Sequence, residues 1–376
     1  MENNSRGQFF ELVRAGLWSE YTPKILVHGV PVDWESIYQL AEEQSVVGLV
    51  AAGIDDLPPS ERPPQAVVLQ FVGSTLQLEQ RNKAMNEFVA KLITLLRKND
   101  IYALLIKGQG VAQCYEKPLW RASGDVDLLL SEDNYEKAKK LLVPLATNVE
   151  SEYKALKHLG LTINGFSVEL HGTLHSRLSK RVDRVIDEAQ RDVFFAGSVR
   201  SWQNGDTQVF LPSPTNDVVF VFTHILHHFY IEGVGLRQIC DWCRLMWTYR
   251  DSLNYGLLES RIKDAGLMTE WRAFASLAVQ YLGMPETAMP MFGSNVLAGA
   301  SEQVRAQKFK RKAARIMEFV LESGNFGHNR QAATGKLSSV WNKTKDFARH
   351  TKVFPWDSIK FYFHFLGDGL RIATDK

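Results

Sequence analysis

Two aspartates in the segment RASGDVDLLL, residues 121–130, are spaced for shared chemistry. A β-strand turns residues i and i+2 to one face, so Asp125 and Asp127 project side by side while Val126 points the other way. Adjacent carboxylates repel each other, and a divalent cation is a natural counter-charge for them. In isolation such a pair is more often a cap or a turn feature. Together with the residues described next, it predicts a metal site at the start of an apolar strand.

A later strand offers a third carboxylate. In FSVELHGTL, residues 166–174, Glu169 and His171 share one face while Val168 and Leu170 share the other. If this strand lies beside the strand of Asp125, three carboxylates converge at one edge of a sheet. Such an arrangement is a suitable oxygen cage for Mg²⁺, which keeps some of its waters and takes phosphate oxygens.

One known family shares these motifs and their order along the chain. The stretch LLIKGQGVAQCYEKPLWRASGDVDLLLSEDNYEKAKKLL, followed by VELHGTLH, resembles a poorly characterised nucleotidyltransferase family of the DNA polymerase β-like superfamily. Members of that family carry a Lys-Gly at the end of the first strand, an Arg shortly before Gly-Asp-(Ile/Val)-Asp, and a later carboxylate-x-His strand. The resemblance covers most of residues 1–250, including LRQICDW at 236–242.

The resemblance implies a Mg²⁺-dependent enzyme, with Mn²⁺ as an alternative ion. Asp125 and Asp127 would bind two ions, and Glu169 would complete the second site and help to remove a proton from the acceptor. His171 would orient Glu169 or touch the acceptor. The nucleotide contacts that the resemblance implies come from Lys107, Gly108, Gln109, Arg121 and Gly124.

The nucleotide-binding residues have distinct expected roles. Gly108 lets the backbone approach a triphosphate, while Lys107 and Arg121 neutralise its charge. Gln109 departs from the superfamily, which usually has Ser or Gly after the glycine. This departure and the large helical share of the chain keep a second hypothesis open, in which the fold is a non-catalytic interaction or regulatory module.

The implied reaction moves a nucleoside monophosphate from a nucleoside triphosphate, for example ATP, to a hydroxyl or phosphate with release of pyrophosphate. The same metal chemistry serves a small molecule, a saccharide, a protein or an RNA as acceptor. The sequence does not distinguish among these acceptors.

The elements that must position these residues change character along the chain. The patterns predict an α+β fold, in which a small mixed sheet is flanked by large helical regions. Asp33 is the expected N-cap of one helix over 33–54, and Asn164-Gly165 is the expected turn of a hairpin. Only helices are predicted beyond residue 176. The expected domains are a helical N-terminal region, the catalytic core, a helical domain and a basic helical C-terminal region, over 1–100, 101–176, 177–290 and 291–376.

Composition indicates an ordinary soluble protein, with 45% hydrophobic and 23% charged residues and a formal net charge of +2. The charge is uneven, because residues 301–376 hold 15 Lys and Arg against 7 Asp and Glu. This basic end can meet the phosphates of a nucleic acid, although a charge run is more often a solvated helix face.

Several features bear on location and on other metal sites. No secretory signal opens the chain, the apolar stretch at 218–231 is too short to span a membrane, and only three cysteines occur. We therefore expect a cytoplasmic protein. The CDWC segment at 240–243 and the histidines 224, 227 and 228 have metal-ligand spacing, but buried thiols and core packing are the favoured interpretations.

Overall fold

The strand that carries Asp125 and Asp127 lies inside a mixed sheet. A computed structural model of the protein describes residues 2–25, 31–231, 233–292, 300–324, 347 and 349–361. Its five-stranded sheet has the order β1-β2-β5-β4-β3, with β2 and β5 parallel and every other pair antiparallel. The strands are β1 Ala103–Ile106, β2 Asp125–Leu130, β3 Asn148–Val149, β4 His158–Ile163 and β5 Phe166–His171.

Alternation along the two central strands separates core from site. Val126, Leu128 and Leu130 of β2 join Val168 and Leu170 of β5 in one hydrophobic core. Because side chains alternate along a strand, the residues between them face the other side of the sheet. That alternation places Asp127 and Glu169 together on the face opposite the core.

Helices surround this sheet, and the first predicted one is divided in two. The expected helix over 33–54 ends at Glu43 and resumes at Val47, with Ser45 between them at φ +55°. Asp33 does cap its start, since the backbone N–H of Ser36 donates to its carboxylate at 3.1 Å. The helices up to residue 142 are α1 Glu2–Leu17, α2 Trp34–Glu43, α3 Val47–Asp55, α4 Gln65–Lys98, α5 Gly108–Ala112 and α6 Glu132–Leu142.

A second hairpin corrects the prediction that only helices follow residue 176. Strands β6, Val199–Asn204, and β7, Thr207–Pro212, form a two-stranded antiparallel sheet around a turn at Gly205. Val209 and Leu211 of β7 belong to the same hydrophobic core as β2 and β5. The hairpin therefore stabilises the sheet that carries the carboxylates.

The remaining helices lie beyond residue 176, where the sequence predicts helical structure. They are α7 Lys180–Phe195, α8 Pro214–Ile231, α9 Leu236–Thr248, α10 Tyr255–Ala265, α11 Met268–Leu282 and α12 Ala300–Ser323. Within the described residues, none of the helices has the length and apolar character needed to cross a membrane. Helix α12 carries part of the basic C-terminal region, and much of the rest of that region lies outside the described residues.

The chain divides into two compact units. The first comprises Met1–Glu42, Val46–His175 and Asp187–Val218, and the second comprises Glu43–Ser45, Ser176–Ile186 and Val219–Lys376. All the residues proposed for chemistry lie in the first unit.

The two other motifs with metal-ligand spacing pack as expected. Cys240 and Cys243 are buried free thiols, and burial raises the pKa of both. His228 lies with its Nε2 3.0 Å from Nε2 of His224, while Nδ1 of His227 lies 2.7 Å from the carbonyl oxygen of Ser176. Ring-to-ring and ring-to-backbone contacts of this kind are those of packed histidines.

Candidate active site

Strands β2 and β5 bring three carboxylates to one place. Their parallel register sets Asp127 opposite Glu169 and Asp125 opposite Ser167. One oxygen from each of Asp125, Asp127 and Glu169 lies within 4.8 Å of the other two. Asp127 is almost fully buried, while Asp125 and Glu169 remain partly open to solvent. The convergence expected from the sequence is therefore present in the fold.

The donor set fits a hard divalent ion. Carboxylate oxygens that leave room for water and phosphate oxygens are the ligands that Mg²⁺ takes in proteins, and they also suit Mn²⁺. The three carboxylates can hold such an ion, since their oxygens lie close together on one face of the sheet.

Lys107 supplies a positive charge at the buried end of this cluster. It follows β1 directly, and its Nζ lies 3.0 Å from Oδ1 of Asp127. Burial by itself lowers the pKa of the Lys107 ammonium, but the charges of Asp127, Glu169 and Asp125 outweigh burial and leave that pKa raised. Lys107 therefore remains charged and compensates the carboxylates.

The backbone around Lys107 is strained. Its φ of +54° with ψ of −141° is a conformation that residues with a side chain rarely adopt. Such strain costs about 1–3 kcal/mol and clusters at functional sites, where the surrounding fold enforces it.

Two glycines flank the carboxylates. Gly108 has φ +36°, and a Cβ atom added there would lie 3.4 Å from the carbonyl oxygen of Asp125. Gly124 is exposed, and nothing lies within 4 Å of the position that its Cβ would take. Gly108 is buried against Asp125, whereas Gly124 leaves backbone accessible beside this first carboxylate.

Arg121 and Gln109 are buried and joined through a residue that the sequence analysis did not single out. Nη1 of Arg121 donates to the carbonyl oxygen of Ala122 at 3.1 Å and to Oγ of Ser123 at 2.8 Å. Asn82 of α4 donates to the carbonyl oxygen of Arg121 and accepts from Nε2 of Gln109 at 3.2 Å. The amide nitrogen of Gln109 therefore bonds to Asn82 of helix α4 and not to a carboxylate of the site.

His171 ties the carboxylates together. Its Nε2 lies 2.8 Å from Oδ1 of Asp127 and 3.3 Å from Oε2 of Glu169. Burial lowers the pKa of His171, but hydrogen bonds to Asp127 and Glu169 outweigh burial and raise it. The imidazole is therefore placed to donate a proton to either carboxylate.

The same contacts keep both carboxylates ionised. Burial raises the pKa of Asp127, but Lys107 and His171 outweigh it and leave the pKa lowered. For Glu169 burial also raises the pKa, and hydrogen bonds from His158 and His171 bring it far below the usual range. Two anions thus persist in a largely buried setting because the Lys107 ammonium and the ring nitrogens of His158 and His171 face them.

His158 is a site residue that sequence reasoning missed. Its Nε2 lies 3.2 Å from Oε2 of Glu169, and its ring stacks on His171 with centroids 4.8 Å apart. The signal was available, because a two-residue turn at Asn164-Gly165 fixes the hairpin register and sets His158 opposite His171.

Comparison with known proteins agrees with the motifs. Residues 30–283, about two thirds of the chain, match the model of a family described as uncharacterised nucleotidyltransferase. No curated protein and no solved structure matches the chain. The family match confirms the resemblance seen in the sequence.

Proposed function

Because the chain belongs to the uncharacterised nucleotidyltransferase family, we propose that it transfers a nucleoside monophosphate from a nucleoside triphosphate to an acceptor, with release of pyrophosphate. The acceptor group is a hydroxyl or a phosphate. The observation that carries this proposal is the convergence of Asp125, Asp127 and Glu169 beside the charged Lys107.

Mg²⁺ is the ion that best suits the three carboxylates, with Mn²⁺ as the alternative. Asp125, Asp127 and Glu169 would hold it. When bound, it supplies positive charge to the triphosphate and lowers the pKa of the acceptor hydroxyl. Sheet packing holds Asp127 rigidly, which supports the positioning that this chemistry requires.

Glu169 suits the role of ligand better than that of base. A general base works best when its pKa lies near the operating pH. Hydrogen bonds from His158 and His171 hold the pKa of Glu169 far below that range, even though burial opposes them. We therefore propose that Glu169 acts chiefly as an anionic ligand, oriented by His171, and only secondarily as a proton acceptor.

The ion pair between Lys107 and Asp127 can be exchanged for contacts of Lys107 with the phosphates of a nucleotide. Lys107 compensates Asp127 in the structure described, at 3.0 Å. With an ion held by Asp125, Asp127 and Glu169, the ammonium of Lys107 would be available to a phosphate oxygen. The exposed Gly124 leaves the backbone open at the same end of β2. Arg121, whose guanidinium donates to Ala122 and Ser123 just before this strand, would supply a second cation.

The experiment is a transfer assay with the full chain. Each of the four α-labelled nucleoside triphosphates is incubated with Mg²⁺ and with fractions of small molecules, saccharides, proteins and RNA. We expect label on one fraction together with released pyrophosphate. Asp127→Asn should reduce transfer at least about 100-fold, as loss of a transition-state electrostatic group does. Asp133→Asn, an exposed aspartate on α6, is the matched control and should leave transfer unchanged.

One observation favours the alternative of a non-catalytic module. Gln109 stands where the superfamily usually has Ser or Gly, and its amide binds Asn82. If nucleotide binds with Mg²⁺ while no fraction ever becomes labelled, and a partner protein co-purifies with the chain, the alternative is correct.

We further propose ATP as the first nucleotide to test and the cytoplasm as the location. The three cysteines are buried and form no disulfide, which suits a reducing compartment. An RNA acceptor would draw on the basic residues of 301–376. RNA binding should then weaken steeply as salt rises, and binding that is insensitive to salt would exclude this route.

A further inference from the structure

Glu169 belongs to two different groups of metal-ligating atoms. One group is the oxygen set with Asp125 and Asp127, and the other joins it to Nε2 of His158 and Nε2 of His171. We propose that His158, Glu169 and His171 form a second metal site, selective for a borderline transition-metal ion such as Zn²⁺.

The spacing of the ligand atoms suits such an ion. Oε2 of Glu169 lies 3.2 Å from Nε2 of His158 and 3.3 Å from Nε2 of His171. Zinc bonds to nitrogen and oxygen measure roughly 2.0–2.2 Å, so the edge of a tetrahedron around zinc is about 3.3 Å. The distances of 3.2 and 3.3 Å therefore match two edges of a zinc site centred beside Glu169.

The donor chemistry distinguishes this set from the carboxylate set. Two imidazoles and one carboxylate are a ligand combination that holds zinc with an open fourth position. Imidazole nitrogen suits zinc and other late first-row metals, whereas an all-carboxylate set suits Mg²⁺ and Mn²⁺. The two sets should consequently prefer different ions.

The side chains of the three proposed ligands differ in their exposure to solvent. The side chain of His171 is 11% exposed, that of Glu169 is 30% and that of His158 is 36%. The rings of His158 and His171 lie 17° from parallel, so both cannot present their lone pairs to one ion without movement. His158 is the more exposed ring and is the one that must turn to bind the ion, while His171 and Glu169 provide the fixed part of the proposed site.

An ion in this site changes the bonds of His171. Nε2 of His171 now lies 2.8 Å from Oδ1 of Asp127, as a hydrogen bond requires. A ligating nitrogen carries no proton, so the ion takes the place of that proton. Asp127 keeps its compensating charge, because Lys107 remains 3.0 Å away.

Glu169 belongs to both ligand sets, and this has a consequence for nucleotidyl transfer that rests on the proposed function. An ion held by His158 and His171 withdraws Glu169 from the carboxylate set. Zn²⁺ should therefore inhibit Mg²⁺-dependent nucleotidyl transfer, and His158→Asn should make the enzyme less sensitive to it.

The direct test measures Zn²⁺ binding to the full chain by titration calorimetry, without nucleotide. We expect His158→Asn to weaken binding at the tightest site at least about tenfold, since even an outer partner of a ligand costs roughly 10–100-fold. His175→Asn is the matched control, because His175 pairs with Asp187 away from Glu169 and should leave binding unchanged. Asp125→Asn should also leave Zn²⁺ binding within about twofold.

Two results would overturn the proposal. One is equal Zn²⁺ affinity in the wild type and His158→Asn. The other is loss of Zn²⁺ binding in Asp125→Asn to the same extent as in His158→Asn, which would assign the ion to the carboxylates. Circular dichroism confirms that each variant is folded. If the chain binds Zn²⁺ as expected but transfers no nucleotide, the proposed function fails and this site stands.

Discussion

Asp127 is the residue on which the site depends most. It lies between two nitrogen partners, with Lys107 Nζ at 3.0 Å and His171 Nε2 at 2.8 Å from the same oxygen. A buried carboxylate without partners would lose its charge, because burial favours the neutral form. The partners therefore preserve the charge that metal binding needs.

Lys107→Met should destabilise the first unit. Removing one member of a buried ion pair leaves the other uncompensated, which costs up to 3–5 kcal/mol. Because Lys107 is partly exposed and His171 remains, we expect a loss of about 2 kcal/mol in the free energy of unfolding, measured by urea denaturation.

The control for this prediction is a lysine on the surface. Lys83 forms an ion pair with Glu79 in which both partners are open to solvent, and Lys83→Met should have a much smaller effect. Equal effects of the two substitutions would contradict the view that Lys107 compensates a buried charge.

The carboxylates of the site, Lys107 and His171 could be predicted from the sequence, whereas Asn82 and His158 could not be read from local spacing. Asp125, Asp127 and Glu169 follow from two-residue spacing on apolar strands, which is a local property. Asn82 and His158 depend on which elements pack together and in which register. For His158 the register could have been predicted from the turn at Asn164-Gly165. Asn82 lies on a long helix, whose polar positions give no local sign of a partner.

At the scale of the elements, one hairpin was predicted from the sequence and the other was not. The β4–β5 hairpin was expected from Asn164-Gly165. The β6–β7 hairpin was missed, although Gly205-Asp206 is also a two-residue turn signal between alternating strands. The division between α2 and α3 was missed because apolar periodicity continues through Ser45, whose positive φ ends the first helix.

Substitution of Gly108 tests the backbone that connects β1 to α5, and substitution of Gly73 is its control. Gly108→Ala should cost about 1–2 kcal/mol of stability, because φ of +36° is strained for a residue with a side chain. It should also weaken nucleotide binding. Gly73→Ala is the matched control in α4, where a Cβ meets open space, and should stabilise by about 0.5–1 kcal/mol. Thermal denaturation distinguishes the two, and stabilisation by Gly108→Ala would contradict the assigned backbone.

At the scale of the whole molecule, the two units should respond differently to pH. Asp127 and Glu169 of the first unit have lowered pKa values, whereas Glu270 of the second unit is fully buried. Burial, followed by the charge of Asp357, raises the pKa of Glu270 to about 8. The folded protein thus holds a proton on Glu270 more tightly than the unfolded chain does.

Because the folded protein binds this proton more tightly, its stability falls as the pH rises. Stability from Glu270 is fully present below the unfolded pKa near 4.5 and is lost as pH rises towards 8, by up to about 5 kcal/mol. Glu270→Gln should remove this fall, measured by denaturation between pH 5 and 8. The exposed Glu259→Gln should leave it unchanged, and a fall that persists in Glu270→Gln would contradict the assignment.

Nucleotide binding tests the central claim most directly, because it requires no acceptor. The measurement is titration calorimetry of the full chain with a non-hydrolysable nucleoside triphosphate in Mg²⁺. We predict binding that weakens at least about tenfold with EDTA, in Asp125→Asn and in Asp127→Asn, and that is unchanged in Asp133→Asn. Binding of equal strength without Mg²⁺ and in both carboxylate variants, or no binding of any nucleotide by the wild type, would contradict it.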